Sequence, residues 1–397
     1  MKWKFRAAAV AGNALEFYDI AVFGAISGYL ALEFERQGYT QGQYMVWGIF
    51  ALRFLVRPLG GYLIGRYADR VGRKPALILT SCITGLATLS MALLPVSLLG
   101  PYTPLALLIL QMALALSFGG EYPTLITYLF SDAQRHHRAR ISALIVSSSI
   151  MGVLVSLLIV YTLAISLTPD IMQSVGWRIP LLVGVLNIII SFWFRARLPT
   201  QLVQPTQPVK IQKMNMLHVF LITVPGAVIF YVQNMSSTLL MKALYLPYFK
   251  GLYPMISSGL LLVSLAICGW LTDKYATPSK VFNLGVTLLV ILSVPLYFIL
   301  NSKTMELILL AQFIITLNAA MILCNLAAVL FDASRGHTTT LGMGYNISLS
   351  LFGGLTPLVI SYLISYSVIY AGIYISLSGL ALLLSYLINK HQQRLSH

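Results

Sequence analysis

The chain has 397 residues, of which 58% are hydrophobic and only 9% charged. A soluble protein of this length carries roughly a quarter charged residues, so a water-soluble globular fold is excluded and a polytopic membrane protein is expected. The formal net charge of +15 would suit nucleic acid, but the basic residues are scattered in short loops between apolar runs. That is the pattern of the positive-inside rule, and no nucleic-acid partner is expected.

The chain opens on MKWKFR followed by an apolar run. This resembles a signal peptide, yet the run is too long and carries no small-residue cleavage site, so an uncleaved first span is expected. A span needs about 20 mostly apolar residues. The runs that qualify in the first half lie over 7–32, 43–65, 75–99, 104–130, 141–167 and 179–194. Those in the second half lie over 217–242, 252–271, 281–300, 305–330, 340–364 and 368–388. Between them, 195–216 holds Arg195, Arg197, Lys210, Lys213 and three prolines. It reads as a cytoplasmic linker joining an N-terminal six-helix bundle (1–194) to a C-terminal one (217–397). With the N-terminus inside, nearly all loop Lys and Arg fall on the cytoplasmic side. The opposite side keeps only Arg36, Arg178, Lys250 and Lys303. Both termini are therefore expected in the cytoplasm.

Cys82, Cys268 and Cys324 all fall in apolar segments, which points to neither a disulfide nor a metal site. No cofactor is expected either.

Between the second and third spans lies GGYLIGRYADRVGRK, residues 60–74. Gly61 and Gly65 are four apart, share a helix face and let a neighbouring helix approach closely. Asp69, Arg70, Gly72, Arg73 and Lys74 read as a short polar hairpin. An acid there accepts hydrogen bonds or caps a helix N-terminus. The plainer alternative is a charged turn that only fixes topology. Gly65, Asp69 and Arg70 recur at the same spacing as Gly269, Asp273 and Lys274, again after the second span of a half. With the equal division of spans, this fits two parallel six-helix repeats around a mid-membrane cavity.

A charge at the bilayer centre is costly, so intramembrane ionisable residues are functional candidates. Here they are Glu16 and Asp19 in the first span, Arg53 and Arg57 in the second, Glu121 in the fourth and Lys242 at the outer end of the seventh. Glu16 and Asp19 share one helix face, and Arg53 and Arg57 share another. They can serve as static ion pairs within the bundle, and Lys242 can snorkel to the interface. A carboxylate in a partly dry cavity takes up a proton more readily than in water, whereas an arginine does not release its own. Arginines therefore suit anchoring an anion or partnering an acid, and the acids suit the proton. Gln233, Asn234, Asn318, Asn325 and Asn346 either line the cavity or bond helices together. Gly353, Gly354 and Pro357 mark a bend in the eleventh span. His136 and His137 lie in an Arg-rich loop and read as solvated. No phosphate-cradling loop, zinc spacing or nucleophile elbow occurs. An intramembrane enzyme would need a reactive cluster at membrane depth, and the one deep histidine, His218, sits near a span end. No enzyme is expected.

Several stretches carry a resemblance. GNALEFYD (12–19), FLVRPLGG (54–61) running into DRVGRK (69–74), GGEY (119–122), GWRIP (176–180), Gly344-Tyr345-Asn346 and Phe352-Gly353-Gly354 with Pro357 fall in one order along nearly the whole chain. Together they resemble the metabolite:proton symporter branch of the major facilitator superfamily, which includes carriers of proline and betaine, dicarboxylates, citrate and shikimate. The N-terminal motifs are the specific ones. The resemblance implies an all-α fold of twelve helices in two pseudo-symmetric bundles. It implies a monomeric carrier in the bacterial inner membrane whose partners are a small polar or anionic organic solute, protons and the bilayer. It also implies that the 69–74 loop latches the cytoplasmic side, with Gly61, Gly65, Asp69, Arg70, Gly72, Arg73, Lys74 and Asp273 as gating residues. Asp19, Glu16, Glu121 and Arg57 are the expected proton-coupling set. Arg53, Tyr18, Gln111, Gln233, Asn234, Asn318, Tyr345 and Asn346 are the expected substrate contacts. Two positions depart from the branch. It commonly has an arginine where this chain has Gln111, and a small residue where this chain has Arg53. One cavity cation is lost and another gained a helix away. An exporter, a uniporter with purely structural acids and a transport-inactive sensor of the same fold are the alternatives.

Overall fold

A backbone in hydrocarbon has no water to bond, so its N–H and C=O groups must be satisfied within each segment, which a helix does. The computed structural model describes residues 2–201, 212–234, 252–302 and 304–395, and all regular structure among them is helical. Among the described residues, twelve helices are long and apolar enough to cross a membrane. They are α1 (Trp3–Arg36), α2 (Gly42–Val71), α3 (Arg73–Ala92), α4 (Thr103–Phe130), α5 (Arg138–Ser166) and α6 (Ile179–Ala196), then α7 (Lys213–Asn234), α8 (Leu252–Tyr275), α9 (Pro278–Leu300), α10 (Met305–Ala333), α11 (Thr338–Ile364) and α12 (Val368–Leu395). The protein is thus a multi-pass, all-helical membrane protein. Leu55, Leu86, Leu186, Ile291 and Leu358 point outward, as side chains facing lipid do. Lys242 and the middle of the expected linker lie outside the described residues.

Three details differ from the sequence expectation or sharpen it. The polar hairpin after α2 shrinks to one residue. Asp69 and Arg70 are in the last turn of α2, Arg73 opens α3, and Gly72 alone reverses the chain. Its backbone (φ 133°, ψ 153°) is a conformation that only glycine adopts without strain. Second, α6 runs to Ala196, so Arg195 is helical and fully buried rather than a linker cation. Third, α11 contains a π-helical turn at Leu349–Gly353. Pro357 lacks the N–H that would bond the Gly353 carbonyl, so the regular ladder fails where the sequence suggested a bend.

The chain forms two compact units, residues 1–128 with 148–209 and residues 129–147 with 210–397. In the first, α1 lies against α2 and α6, and α3 against α6. Val22, Phe23, Ile26 and Phe34 of α1 form its apolar core with Ile49, Met91, Leu114, Phe118 and Trp177. In the second, α9 packs against α10 and α12, and α7 against α10, α11 and α12. The first turns of α5 cluster with this second unit.

Candidate functional site

The first unit is assembled around GNALEFYD in α1, whose residues each meet a different neighbour. A Cβ on Gly12 would lie 1.9 Å from Nη2 of Arg195, so the missing side chain is the space that guanidinium fills. Asn13 donates to the hydroxyls of Ser148 (2.9 Å) and Ser149 (2.8 Å) on α5. The Ala14 carbonyl sits where a Cβ of Gly152 would be. Glu16 accepts from Arg57 at 2.6 Å. The Tyr18 hydroxyl donates to the Pro180 carbonyl of α6 at 2.7 Å. Asp19 faces Arg53 at 3.9 Å.

Glycines also bring α2 and α4 into backbone contact. A Cβ on Gly60 would meet the Leu116 carbonyl oxygen at 2.0 Å, and one on Gly119 the Arg57 carbonyl oxygen at 2.1 Å. Gly120 leaves room for the Ile64 side chain. The close approach in this stretch is made at Gly60, where the RPLGG and GGE segments interlock, whereas it was expected of Gly61 and Gly65. Gly61 and Gly65 are buried beside it.

This packing brings the charges together in pairs. Arg57–Glu16 (2.6 Å) and Arg195–Glu121 (2.5 Å) are tight, hydrogen-bonded and buried. Arg53–Asp19, also buried, is an ion pair beyond hydrogen-bond reach. Arg53 instead donates to Gln111 at 3.0 Å, so the cation gained on α2 reaches the position where α4 lacks one. Its guanidinium lies over the Phe50 ring (5.5 Å) and the Phe118 ring (5.9 Å), a placement that favours a cation in an apolar setting. Gln111 also donates to the Met91 sulfur. Among the described residues of the first unit, apart from Arg6 at the start of α1, the buried charged residues are these three arginines and three acids. Their charges cancel.

The sequence missed Arg195 because a helix end uncertain by a turn decides whether such a residue faces solvent or core. No local signal marks it.

In the second unit the polar candidates within the spans are amides. Gln233 donates to Thr316 (3.0 Å) and accepts from Gln312 (3.2 Å). Gln312 and Thr316 were not anticipated, although both lie on the α10 face that carries Ala320. With its amide group turned over, Asn318 of α10 can donate to the Gly285 carbonyl (2.8 Å) and accept from the Leu289 N–H (3.1 Å) of α9. Asn346 and Asn325 each donate to a carbonyl one turn back in their own helices. Asn234 does the same towards Phe230. Tyr345 is buried. His218 pairs with Ser385 at 3.0 Å.

The gating candidates separate in the same way. Asp69 is half-buried and within electrostatic reach of Arg73, which donates to Gln201 at 3.4 Å. Arg70 is exposed and Lys74 half-buried. Asp273 has a defined role within the second unit. Its carboxylate accepts from the backbone N–H groups of Ala139 (2.8 Å) and Arg140 (3.0 Å) and from the Arg140 side chain (3.0 Å). It thereby caps the start of α5, where a negative charge suits the helix dipole. Alongside, Arg138 pairs with Asp332 at 2.6 Å and lies against the rings of both Phe130 and Phe331, which stack on each other.

The comparisons with known proteins agree with this architecture. The Major Facilitator Superfamily model matches residues 9–357. The alpha-ketoglutarate permease of Escherichia coli is 28% identical over 369 residues, covering 87% of this chain and 84% of the relative. The ectoine/proline transporter ProP of Corynebacterium glutamicum is 27% identical over 422 residues, covering 94% and 82%. Among solved structures, the proton:xylose symporter XylE superposes with a TM-score of 0.79 at 14% identity, covering 97% of this chain and 95% of that one. At that identity the likeness speaks for the fold. Family and relatives are transporters rather than enzymes, and the chain belongs to the Major Facilitator Superfamily.

Proposed function

We propose that the protein carries a small carboxylate-bearing metabolite together with a proton, by alternating access, as a monomer in a bacterial inner membrane with both termini cytoplasmic. The observation that supports this best is the loose pair of the first unit. Arg53 is buried, flanked by Phe50 and Phe118, hydrogen-bonded to Gln111 and held 3.9 Å from Asp19. A guanidinium binds a carboxylate through two parallel hydrogen bonds. Asp19, unlike Glu16 and Glu121, is not hydrogen-bonded to its arginine, so a substrate can compete for Arg53.

In this scheme the substrate carboxylate engages Arg53. Asp19 then loses its counter-charge and takes up a proton, and the site returns to the neutrality of its three acids and three arginines. A neutral core crosses between states at lower cost than a charged one. By this count a monoanion needs the one proton and a dianion two, whereas a zwitterion brings no net charge and its proton leaves the site one positive charge above neutrality. The names of the relatives, ectoine/proline transporter and alpha-ketoglutarate permease, both denote molecules with carboxylates. Asp273 with Arg140, and Arg138 with Asp332, are the contacts that the cycle would have to break and remake, together with the Asp69 turn.

The test is uptake of proline, betaine, ectoine and 2-oxoglutarate into proteoliposomes under an imposed pH gradient. One of them is expected to accumulate. The Asp19→Asn variant is expected to exchange that substrate down its gradient but not to concentrate it. An Asn variant that still concentrates substrate removes Asp19 from this role.

A further inference from the structure

Arg195 does more than balance a charge. One Nη donates to Glu121 (2.5 Å) and, more weakly, to the Ala9 carbonyl (3.5 Å). The other donates to the Ser81 hydroxyl (2.7 Å) and the Leu77 carbonyl (3.1 Å). Only Nε has no partner among the described residues. One fully buried side chain on α6 therefore joins α1, α3 and α4, and Gly12 provides the opening through which it does so. The residues that follow are fastened to α4 as well. The Tyr128 hydroxyl donates to the Pro199 carbonyl (2.9 Å), and Gln201 donates to the Tyr128 carbonyl (2.8 Å).

We propose that Arg195 is a positioning residue of the transport cycle, which fixes Glu121 as a permanent carboxylate and leaves Asp19 as the acid free to change charge. The contrast lies in the geometry. A carboxylate hydrogen-bonded to a guanidinium that is itself fixed by three further acceptors has little to gain from a proton, and releasing it would strand a buried cation. Asp19 has no such clasp. The charged groups near Glu121 are Arg195 on α6 and Glu16 on α1. Glu16 carries its own arginine, Arg57. Ser81 on α3 is neutral. The GGE acid is thereby assigned to the frame, and the arginine that matters to it lies at the far end of the N-terminal sequence half. The second part of the proposal, the contrast with Asp19, rests on the proton-coupled reading above.

Dicyclohexylcarbodiimide, which modifies protonated carboxyls in apolar surroundings, gives the direct test on the intact protein. Mass spectrometry of the labelled wild type is expected to find Asp19 modified and Glu121 not. In Arg195→Gln, Glu121 is expected to become modified, a change that a purely structural role for the arginine would not produce. In proteoliposomes the neutral pair Glu121→Gln with Arg195→Gln is expected to keep pH-driven accumulation within about threefold of wild type, while each single variant loses more than that. Modification of Glu121 in the wild type overturns the proposal. So does a double variant that exchanges substrate but cannot concentrate it. If the double variant does not fold, the wild-type labelling decides alone. If the wild type accumulates nothing under a pH gradient, the proton-coupled reading fails, and the labelling of Glu121 with and without Arg195 still decides the clasp.

Discussion

The clasp makes Gly12→Ala a sharp perturbation. The added methyl would stand 1.9 Å from Nη2, 2.2 Å from Cζ and 2.7 Å from Nη1 of Arg195. Ordinary carbon contacts lie at about 3.5–4.0 Å, so the guanidinium must retreat by well over an ångström. That removes its 2.5 Å contact with Glu121. Breaking a buried ion pair by deleting a partner costs about 3–5 kcal/mol, and displacement should sit near the lower end. Against this, alanine in place of glycine inside a helix gains about 1 kcal/mol. The net expectation is a loss of about 2 kcal/mol, which for a unit of this size lowers Tm by roughly 4–8 °C. Thermal unfolding of the purified protein in detergent measures it. Gly24 and Gly28 on the same helix have open space where a Cβ would go. Gly24→Ala and Gly28→Ala are therefore expected to be neutral or slightly stabilising. A double-mutant cycle completes the test, because with Arg195→Ala in place the Gly12→Ala penalty should vanish. A Gly12→Ala protein as stable as its Gly24→Ala counterpart would refute the reasoning.

Other substitutions probe the remaining groups. Arg53→Lys keeps the charge but loses the planar fork, and should weaken binding of a carboxylate substrate about tenfold, or roughly 1.4 kcal/mol. Titration calorimetry reads this, and undiminished affinity would leave Arg53 as structure. Asp273→Ala removes a helix cap worth about 1–2 kcal/mol and the Arg140 pair. Maleimide labelling of Cys324, buried in α10, should accelerate, and an unchanged rate would count against a gating role. Asp69→Asn should leave expression intact, slow uptake and raise labelling from the inward-facing side. Wild-type turnover with unchanged labelling would show that the turn only fixes topology.

What the sequence by itself determined is what depends on local composition. Helix α4 is recognisable from its own residues because a span is about 20 apolar residues wherever it lies. The motif positions Gly12 to Asp19, Arg57 and Gly119 to Glu121 could be singled out because charges and spaced glycines are rare in such runs. The resemblance to the family implied an exchange of a cation from the position of Gln111 to Arg53, and the 3.0 Å bond between these two residues gives that exchange a physical form. Pairing was not legible. Three acids and several arginines within one half admit many combinations, and sequence spacing says only which share a helix face. Choosing among them takes the rotation and depth of each helix, which packing sets through contacts as remote as Gly12 with Arg195. Arg195 itself looked like a linker residue beside Arg197 and Pro199. Two further helical residues, closed by a carboxylate on α4 and an absent side chain on α1, turned it into the core of the bundle.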